Sequence, residues 1–213
     1  MKTLSFLTGL LCAAALAAPP ALAAPITYTF AGQGAGTLDG TAFTDGSFVF
    51  SVHADTSAID AASAPFYYIS GLGGSFTQGS FSATLATPLL IVGTADTNLA
   101  STLQRINLFN ADVSNGVGMI APALASYHLD TSIGPLTTSD PNDLLPTFDP
   151  ANLSGFGFVG GGSVTISSLS SLTFSASLDR VAAVPEPASW ALLVLALPLM
   201  GAVTRRRAAQ PGA

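Results

Sequence analysis

Between residues 24 and 183, apolar and polar side chains alternate with a period of two. Ile26, Tyr28 and Phe30 share one face, with Thr27 and Thr29 on the other. Phe48, Phe50 and Val52 alternate with Val49, Ser51 and His53, where only Val49 spoils the contrast. Phe81, Ala83 and Leu85 oppose Ser80, Ser82 and Thr84. Leu172, Phe174, Ala176 and Leu178 oppose Thr173, Ser175, Ser177 and Asp179. Successive side chains of a strand point to opposite faces, so this pattern predicts antiparallel sheet with one dry side and one wet side. Asp39-Gly40 predicts a tight hairpin turn, and Asp45-Gly46 and Asn115-Gly116 predict turns before Phe48 and Val117. Leu89–Val92, Leu103–Phe109, Tyr127–Leu129, Gly155–Val159 and Ser163–Ile166 are further strand expectations, and Thr56–Ala64 predicts a short turn. Four prolines in Thr131–Asn152 make that stretch a predicted surface loop. No internal segment carries a sustained helical period. The expected fold class is all-β, an antiparallel two-sheet sandwich of jelly-roll type, with roughly eight to ten short strands.

Charge narrows the partners. Residues 24–183 hold eleven Asp, no Glu, no Lys and two Arg, Arg105 and Arg180, a net charge of −9. Such a surface cannot neutralise phosphates, which excludes nucleic acid as a partner. The same charge repels anionic membrane surfaces and favours solubility. With so few charges, the wet faces consist of Ser, Thr, Gly, Asn and Ala, a composition of extracellular β proteins.

Candidate chemistry is sparse. His53 and His128 are the available general bases near neutral pH, and His53 lies on the wet face of a strand. His128 has Tyr127 and Asp130 close in sequence, a placement that can orient an imidazole toward a serine. No Gly-x-Ser-x-Gly elbow accompanies it, so a plain strand histidine is the expectation. Two histidines without His-Glu-x-x-His make a poor zinc site. Gly155, Gly157 and Gly160 fit the spacing of a dinucleotide-binding loop, with Asp179 downstream. That loop needs a helix N-terminus, yet Gly161, Gly162 and a β-rich run follow, so these glycines are expected to be bends in sheet strands. Asp140, Asn142, Asp143 and Asp149 are weak calcium candidates and stronger turn formers. The absence of Glu from this span and the scarcity of nearby aromatic platforms argue against a two-carboxylate glycosidase. No catalytic residue and no cofactor are therefore expected. Phe66, Tyr67 and Tyr68 form either an exposed aromatic patch or part of the core.

The ends carry a different signal. Lys2, an apolar stretch from Leu4 to Ala18, and Ala21-Leu22-Ala23 predict a signal peptide over residues 1–23, cut before Ala24. Ala21 and Ala23 occupy the −3 and −1 positions. Cys12, the single cysteine, leaves with the signal, so no disulfide is expected in the exported domain, residues 24–183. At the other end, Pro185-Glu186-Pro187 is held extended by its prolines. Residues 188–204 follow without a charge, an apolar run short of a full bilayer core, with Trp190 suited to the headgroup zone. Pro198 is tolerated in a membrane helix. Arg205, Arg206 and Arg207 predict a stop-transfer cluster on the cytoplasmic side, before a tail of residues 208–213.

This tripartite end, from Val184 to about Arg207, resembles the PEP-CTERM sorting signal of Gram-negative bacteria. The resemblance implies recognition of Pro185, Glu186 and Pro187 by exosortase, an integral membrane cysteine transpeptidase-like enzyme. It further implies cleavage near that motif and delivery to the cell surface or exopolysaccharide matrix. The expected route uses the secretion translocon and signal peptidase, with transient anchoring in the inner membrane by the C-terminal helix. The expected function is that of a non-enzymatic surface or extracellular-matrix protein. The alternative is a carbohydrate-binding or adhesive module that contacts exopolysaccharide.

Overall fold

The alternating pattern closes into two antiparallel sheets. The computed structural model describes residues 23–86, 88–95, 104–148 and 155–179. Among these residues twelve strands run in chain order: β1 Pro25–Leu38, β2 Thr41–Asp55, β3 Phe66–Ser70, β4 Gly73–Gln78, β5 Phe81–Leu85 and β6 Leu90–Thr94, then β7 Arg105–Phe109, β8 Asn115–Ile120, β9 Ile133–Thr138, β10 Thr147–Phe148, β11 Phe156–Gly157 and β12 Ser163–Leu178. The larger sheet has the order β11-β12-β1-β2-β4-β5, with β9 also paired to β12, and the smaller has the order β10-β8-β7-β6-β3. Half of the neighbouring pairs are consecutive strands, and β12–β1, β2–β4, β9–β12, β10–β8 and β6–β3 are crossovers.

The larger sheet also meets its own far edge. Leu85 of β5 bridges Phe158, just past β11. The Ala86 amide donates to the Gly157 carbonyl at 2.7 Å, and the Val159 amide to the Thr84 carbonyl at 2.9 Å. This closure covers two edges that would otherwise offer unpaired backbone groups. Phenylalanines line the inner face. Ring centroids lie 4.6 Å apart for Phe50–Phe156, 4.9 Å for Phe50–Phe76 and 5.4 Å for Phe81–Phe158. All three pairs are tilted, which suits the aromatic quadrupole better than a face-to-face stack. Phe50, Phe76 and Phe156 are wholly buried, each contributing about 1.5–3 kcal/mol by leaving water.

Two long strands bend to make this possible. Side-chain-free backbone at Gly34 and Gly36 lets β1 approach the Ser168 and Thr165 carbonyls of β12, where a Cβ would collide. The β1–β12 register shifts at those positions. On the other side of β1, Asp45 adopts φ +53° in a bulge of β2. Asp45-Gly46 is therefore a bulge inside one strand, not the turn its sequence predicts. Asp39-Gly40 is the predicted hairpin turn, with φ +50° and +76°.

The smaller sheet contributes Ile69, Ile91, Ile106, Leu108, Val117 and Met119 to the same core as Tyr28, Phe30 and Phe174. One polar side chain stitches the sheets together. Asn115 of β8 donates from Nδ2 to the Ile166 carbonyl at 3.3 Å and accepts from the Ile166 amide at 3.1 Å. Its buried amide thus imitates a neighbouring strand for β12. Asn110 Oδ1 in turn accepts from the Asn115 amide at 3.0 Å. Asn115-Gly116 begins β8, and the turn precedes it at Ala111–Ser114, where Asp112 Oδ1 accepts from the Ser114 amide at 3.1 Å.

Two further expectations are corrected. Tyr127–Leu129 is not a strand. It follows a short 3₁₀ turn at Pro122–Ser126, and Leu129 has φ +69°, which no strand accommodates. Thr131–Asn152 is not simply a loop. Its Ile133–Thr138 pairs with β12, Leu144 bridges Met119, and Thr147–Phe148 pairs with β8. Proline is compatible with an edge strand such as β9 because an edge amide facing solvent needs no partner. The predicted short turn is present at Thr56–Ala58, capped by Asp55.

Replacing Asn115 by Ala should lower the unfolding free energy by about 2–4 kcal/mol, since two buried backbone groups lose their partner. Asn142→Ala, in an exposed turn, should stay within about 0.5 kcal/mol. Urea denaturation midpoints at equal m-value check both.

Candidate functional site

The strand pattern places His53 on the outer face of the larger sheet, where it is exposed. His53 Nδ1 lies 3.1 Å from Thr27 Oγ1, and the Thr27 hydroxyl donates to Asp179 Oδ2 at 3.4 Å. Which of the hydroxyl and the imidazole donates is set by the ring's tautomer. The row is a surface hydrogen-bond chain across β2, β1 and the residue that follows β12.

His128 is exposed and stacks on Tyr67, centroids 4.7 Å apart and planes 24° apart. Together with Pro65, Ala95, Ala125 and Ser126, these two rings line a groove of about 510 Å³. Asp130 acts on other groups. Burial, and then the Asp130 charge, raise the Tyr28 phenol above its ordinary range, and burial raises Tyr127 in the same direction, helped by Tyr28 and Asp130. The Tyr28 hydroxyl donates to the Leu129 carbonyl at 2.6 Å, whereas the buried Tyr127 hydroxyl has no partner among the described residues.

The calcium candidates form a turn. Asp140 Oδ1 accepts from the Asn142 amide and from Asn142 Nδ2, both at 2.9 Å, and the Asp143 amide donates to the Asp140 carbonyl at 3.0 Å. This local pattern is the Asx-type turn that the residue types favour. Among the described residues no group of three or more His, Cys, Asp or Glu is placed to hold a metal ion. Gly155 precedes β11, Gly157 ends it and Gly160 lies in the turn into β12, so strand rather than helix follows them. They are sheet bends, as their context predicts.

Phe66, Tyr67 and Tyr68 separate. Tyr67 turns toward the core rim and His128, while Phe66 and Tyr68 share the outer face of the smaller sheet, half-buried, with centroids 6.5 Å apart. Register extends that face: Tyr68 sits beside Val92, Val92 beside Asn107, and Asn107 beside Gly118. A parallel row runs Ser70, Leu90, Phe109, Gly116. The Phe109 ring and the Asn107 amide occupy the space that a Cβ at Gly116 or Gly118 would need. Arg105, Asn107, Phe109, Val92 and the segment 144–147 line a groove of about 280 Å³ on this face. Arg105 is the only Lys or Arg among the described residues. Sequence reasoning missed this groove. The available signal was the period-two spacing of Arg105, Asn107 and Phe109, three groups on one side of a strand.

The predicted processing residues fall partly outside the described residues. Ala21, Pro185, Glu186, Pro187, Arg205, Arg206, Arg207 and Asp149 all lie outside them. Ala23 is exposed, and Ala24 is the first residue tied to the sheet: its amide donates to Thr56 Oγ1, and its carbonyl accepts from the Thr56 amide, both at 3.0 Å. At the other limit, the Asp179 amide donates to the Pro25 carbonyl at 2.9 Å. No helix among the described residues is long and apolar enough to cross a membrane.

No family model, curated protein or solved structure matches this chain.

The two raised phenols set an alkaline limit. Unfolded tyrosine ionises near pH 10, about its ordinary value, while folded Tyr28 and Tyr127 keep their protons to higher pH. The stability they confer is complete below about pH 10 and is lost as pH rises above it, because the unfolded chain then binds fewer protons. Tyr127→Phe should be at least as stable as the parent at pH 7 and should lose less between pH 9 and 11, by chemical denaturation at each pH.

Proposed function

We propose that this chain is an exported, non-enzymatic surface or extracellular-matrix protein, sorted and processed by exosortase through its C-terminal signal. Residues 1–23 are the signal peptide, 188–204 the transient span, and the domain between is the cargo. The observation that carries this reading is the run from Pro185 through the apolar stretch to Arg205, Arg206 and Arg207.

The body supports it in two ways. Its described core runs from Ile26 to Leu178, so cuts before Ala24 and near Pro187 would leave those core residues in one piece. Its larger outer face is also nearly free of charge. Ser175, Thr29, Ser51, Ser75 and Thr84 stand side by side on β12, β1, β2, β4 and β5. Thr137 and Thr173 extend the hydroxyl surface, their Oγ1 atoms 2.9 Å apart. A hydroxyl-covered sheet stays wetted without ionic groups, which suits life outside the cell.

A second reading, a carbohydrate-binding or adhesive module of the exopolysaccharide matrix, is favoured by one observation. Phe66 and Tyr68 present two aligned rings on an outer sheet face, next to a groove with an amide and a guanidinium.

Mass spectrometry of the protein from its native host should find a chain that begins at Ala24 and ends near Pro187. Recovery of an intact chain ending at Ala213 in the membrane would replace exosortase processing with a plain tail anchor. Recovery of the intact chain from the cytoplasm would remove the export reading altogether.

A further inference from the structure

We propose that the outer face of the smaller sheet binds a segment of acidic polysaccharide, with a sugar carboxylate on Arg105 and sugar rings against Tyr68 and Phe109. This deepens the carbohydrate-binding reading and rests on it.

Three features of the groove converge on one ligand chemistry. The first is charge. Residues 24–183 carry a net charge of −9, yet Arg105, the only Lys or Arg among the described residues, forms no ion pair with any described residue. A guanidinium offers a planar fork that matches a carboxylate with two parallel hydrogen bonds. The second is the amide of Asn107. Asn107 is 5 % exposed, lines the groove, and makes no side-chain hydrogen bond to a described residue. Among the described residues, the fully buried polar side-chain atoms without a partner are Thr94 Oγ1 and Tyr127 OH, so the Asn107 amide opens onto the groove, where Asn both donates and accepts, as vicinal hydroxyls require. The third is aromatic surface. Phe109 lines the groove, and Tyr68 stands two strands away from Asn107 through Val92, roughly 10 Å at ordinary strand spacing. The C–H faces of sugar rings pack against such half-buried rings while their edges keep hydrogen bonds.

Carboxylate, hydroxyls and apolar ring faces together describe a uronic-acid-type sugar. A neutral glycan leaves the guanidinium unused. An acidic peptide would be expected to add to a strand edge through its backbone. Here, however, the β3 edge is partly covered by the Asp60–Tyr68 bridge, and the cation lies on the sheet face. The groove of about 280 Å³ is at the small end of ligand sites, so it holds one or two sugar units of a longer chain. The surrounding aspartates repel a polyanion beyond contact range, which makes single-site binding weak and leaves avidity to many copies on one polymer.

The test uses the exported protein with oligosaccharides of polygalacturonate, alginate and hyaluronate. Their carboxyl-reduced forms and poly-glutamate serve as controls, with titration calorimetry as the readout. At least one acidic oligosaccharide should bind. Arg105→Gln should weaken that binding at least tenfold while melting temperature and circular dichroism stay unchanged, and Arg105→Lys should restore part of it. Tyr68→Ala should weaken it without altering the ratio between Arg105→Gln and parent. Equal binding of the carboxyl-reduced sugar would overturn the acidic specificity while leaving carbohydrate binding in place. Binding of poly-glutamate as tight as that of the sugars, an unchanged Arg105→Gln affinity, or no binding to any of the three polymers would each overturn the proposal. None of these results alters the mass-spectrometric test of export.

Discussion

The body depends on one long-range pairing, the ladder between β1 and β12. Thirteen residues of β1, Ile26 to Leu38, face partners on β12. The two strands come from opposite ends of the described chain, so their closure demands the largest loss of loop entropy in the molecule. What offsets that loss is the apolar face they share. Tyr28 and Phe30 on β1 and Leu172 and Phe174 on β12 are all wholly buried, and the Phe30 and Phe174 rings lie 5.0 Å apart. The rest of the larger sheet is built outward from this pair: β2, then β4 and β5, from the free side of β1, and β9 and β11 against the free side of β12. The Asn115 amide then couples the smaller sheet to the same strand at Ile166. With no cysteine after Cys12, this pairing and the core beneath it take the place that cross-links occupy in many small exported domains.

The legible parts of the chain were those where one strand face is dry and the other wet. β1, β2, β5 and the second half of β12 alternate cleanly because they lie on a sheet with a single packed side. β4 escaped notice because Phe76 is its one large apolar residue, and glycines occupy its start. β9 and β10 were hidden by prolines and by short length, and both are edge strands whose identity comes from the neighbour they pair with. Asn115-Gly116 and Asp45-Gly46 have the composition of turns, and tertiary contacts assigned them instead to a strand start and a bulge. The candidate groove was harder still. Its parts come from β6, β7 and the 144–147 segment, and only cross-strand register brings them together. The aromatic run at Phe66–Tyr68 was visible, but its division between two faces follows from strand geometry alone. The terminal segments expected to be signals lie almost wholly outside the described residues.

The two outer faces differ in chemistry although both belong to the same acidic body. On the larger sheet, hydroxyls repeat from strand to strand and the one imidazole is joined to them through Thr27. On the smaller sheet, aromatic rings, a buried amide and the guanidinium of Arg105 replace the hydroxyls. A uniform wetted surface and a compact mixed patch are different solutions, the first to remaining dissolved and the second to selective contact. Their separation onto different sheets keeps the mixed patch away from the larger part of the surface.

The position of β12 has a mechanical consequence. Leu172 to Ala176 are flanked by β1 on one side and by β9 on the other, and the Asp179 amide donates to the Pro25 carbonyl. Tension applied through the chain after Asp179 along the axis of β12 would load the ladders on both sides in shear, many hydrogen bonds at once. Tension across that axis would peel them one by one. A body held from this end therefore resists drag best when it trails in line with its final strand.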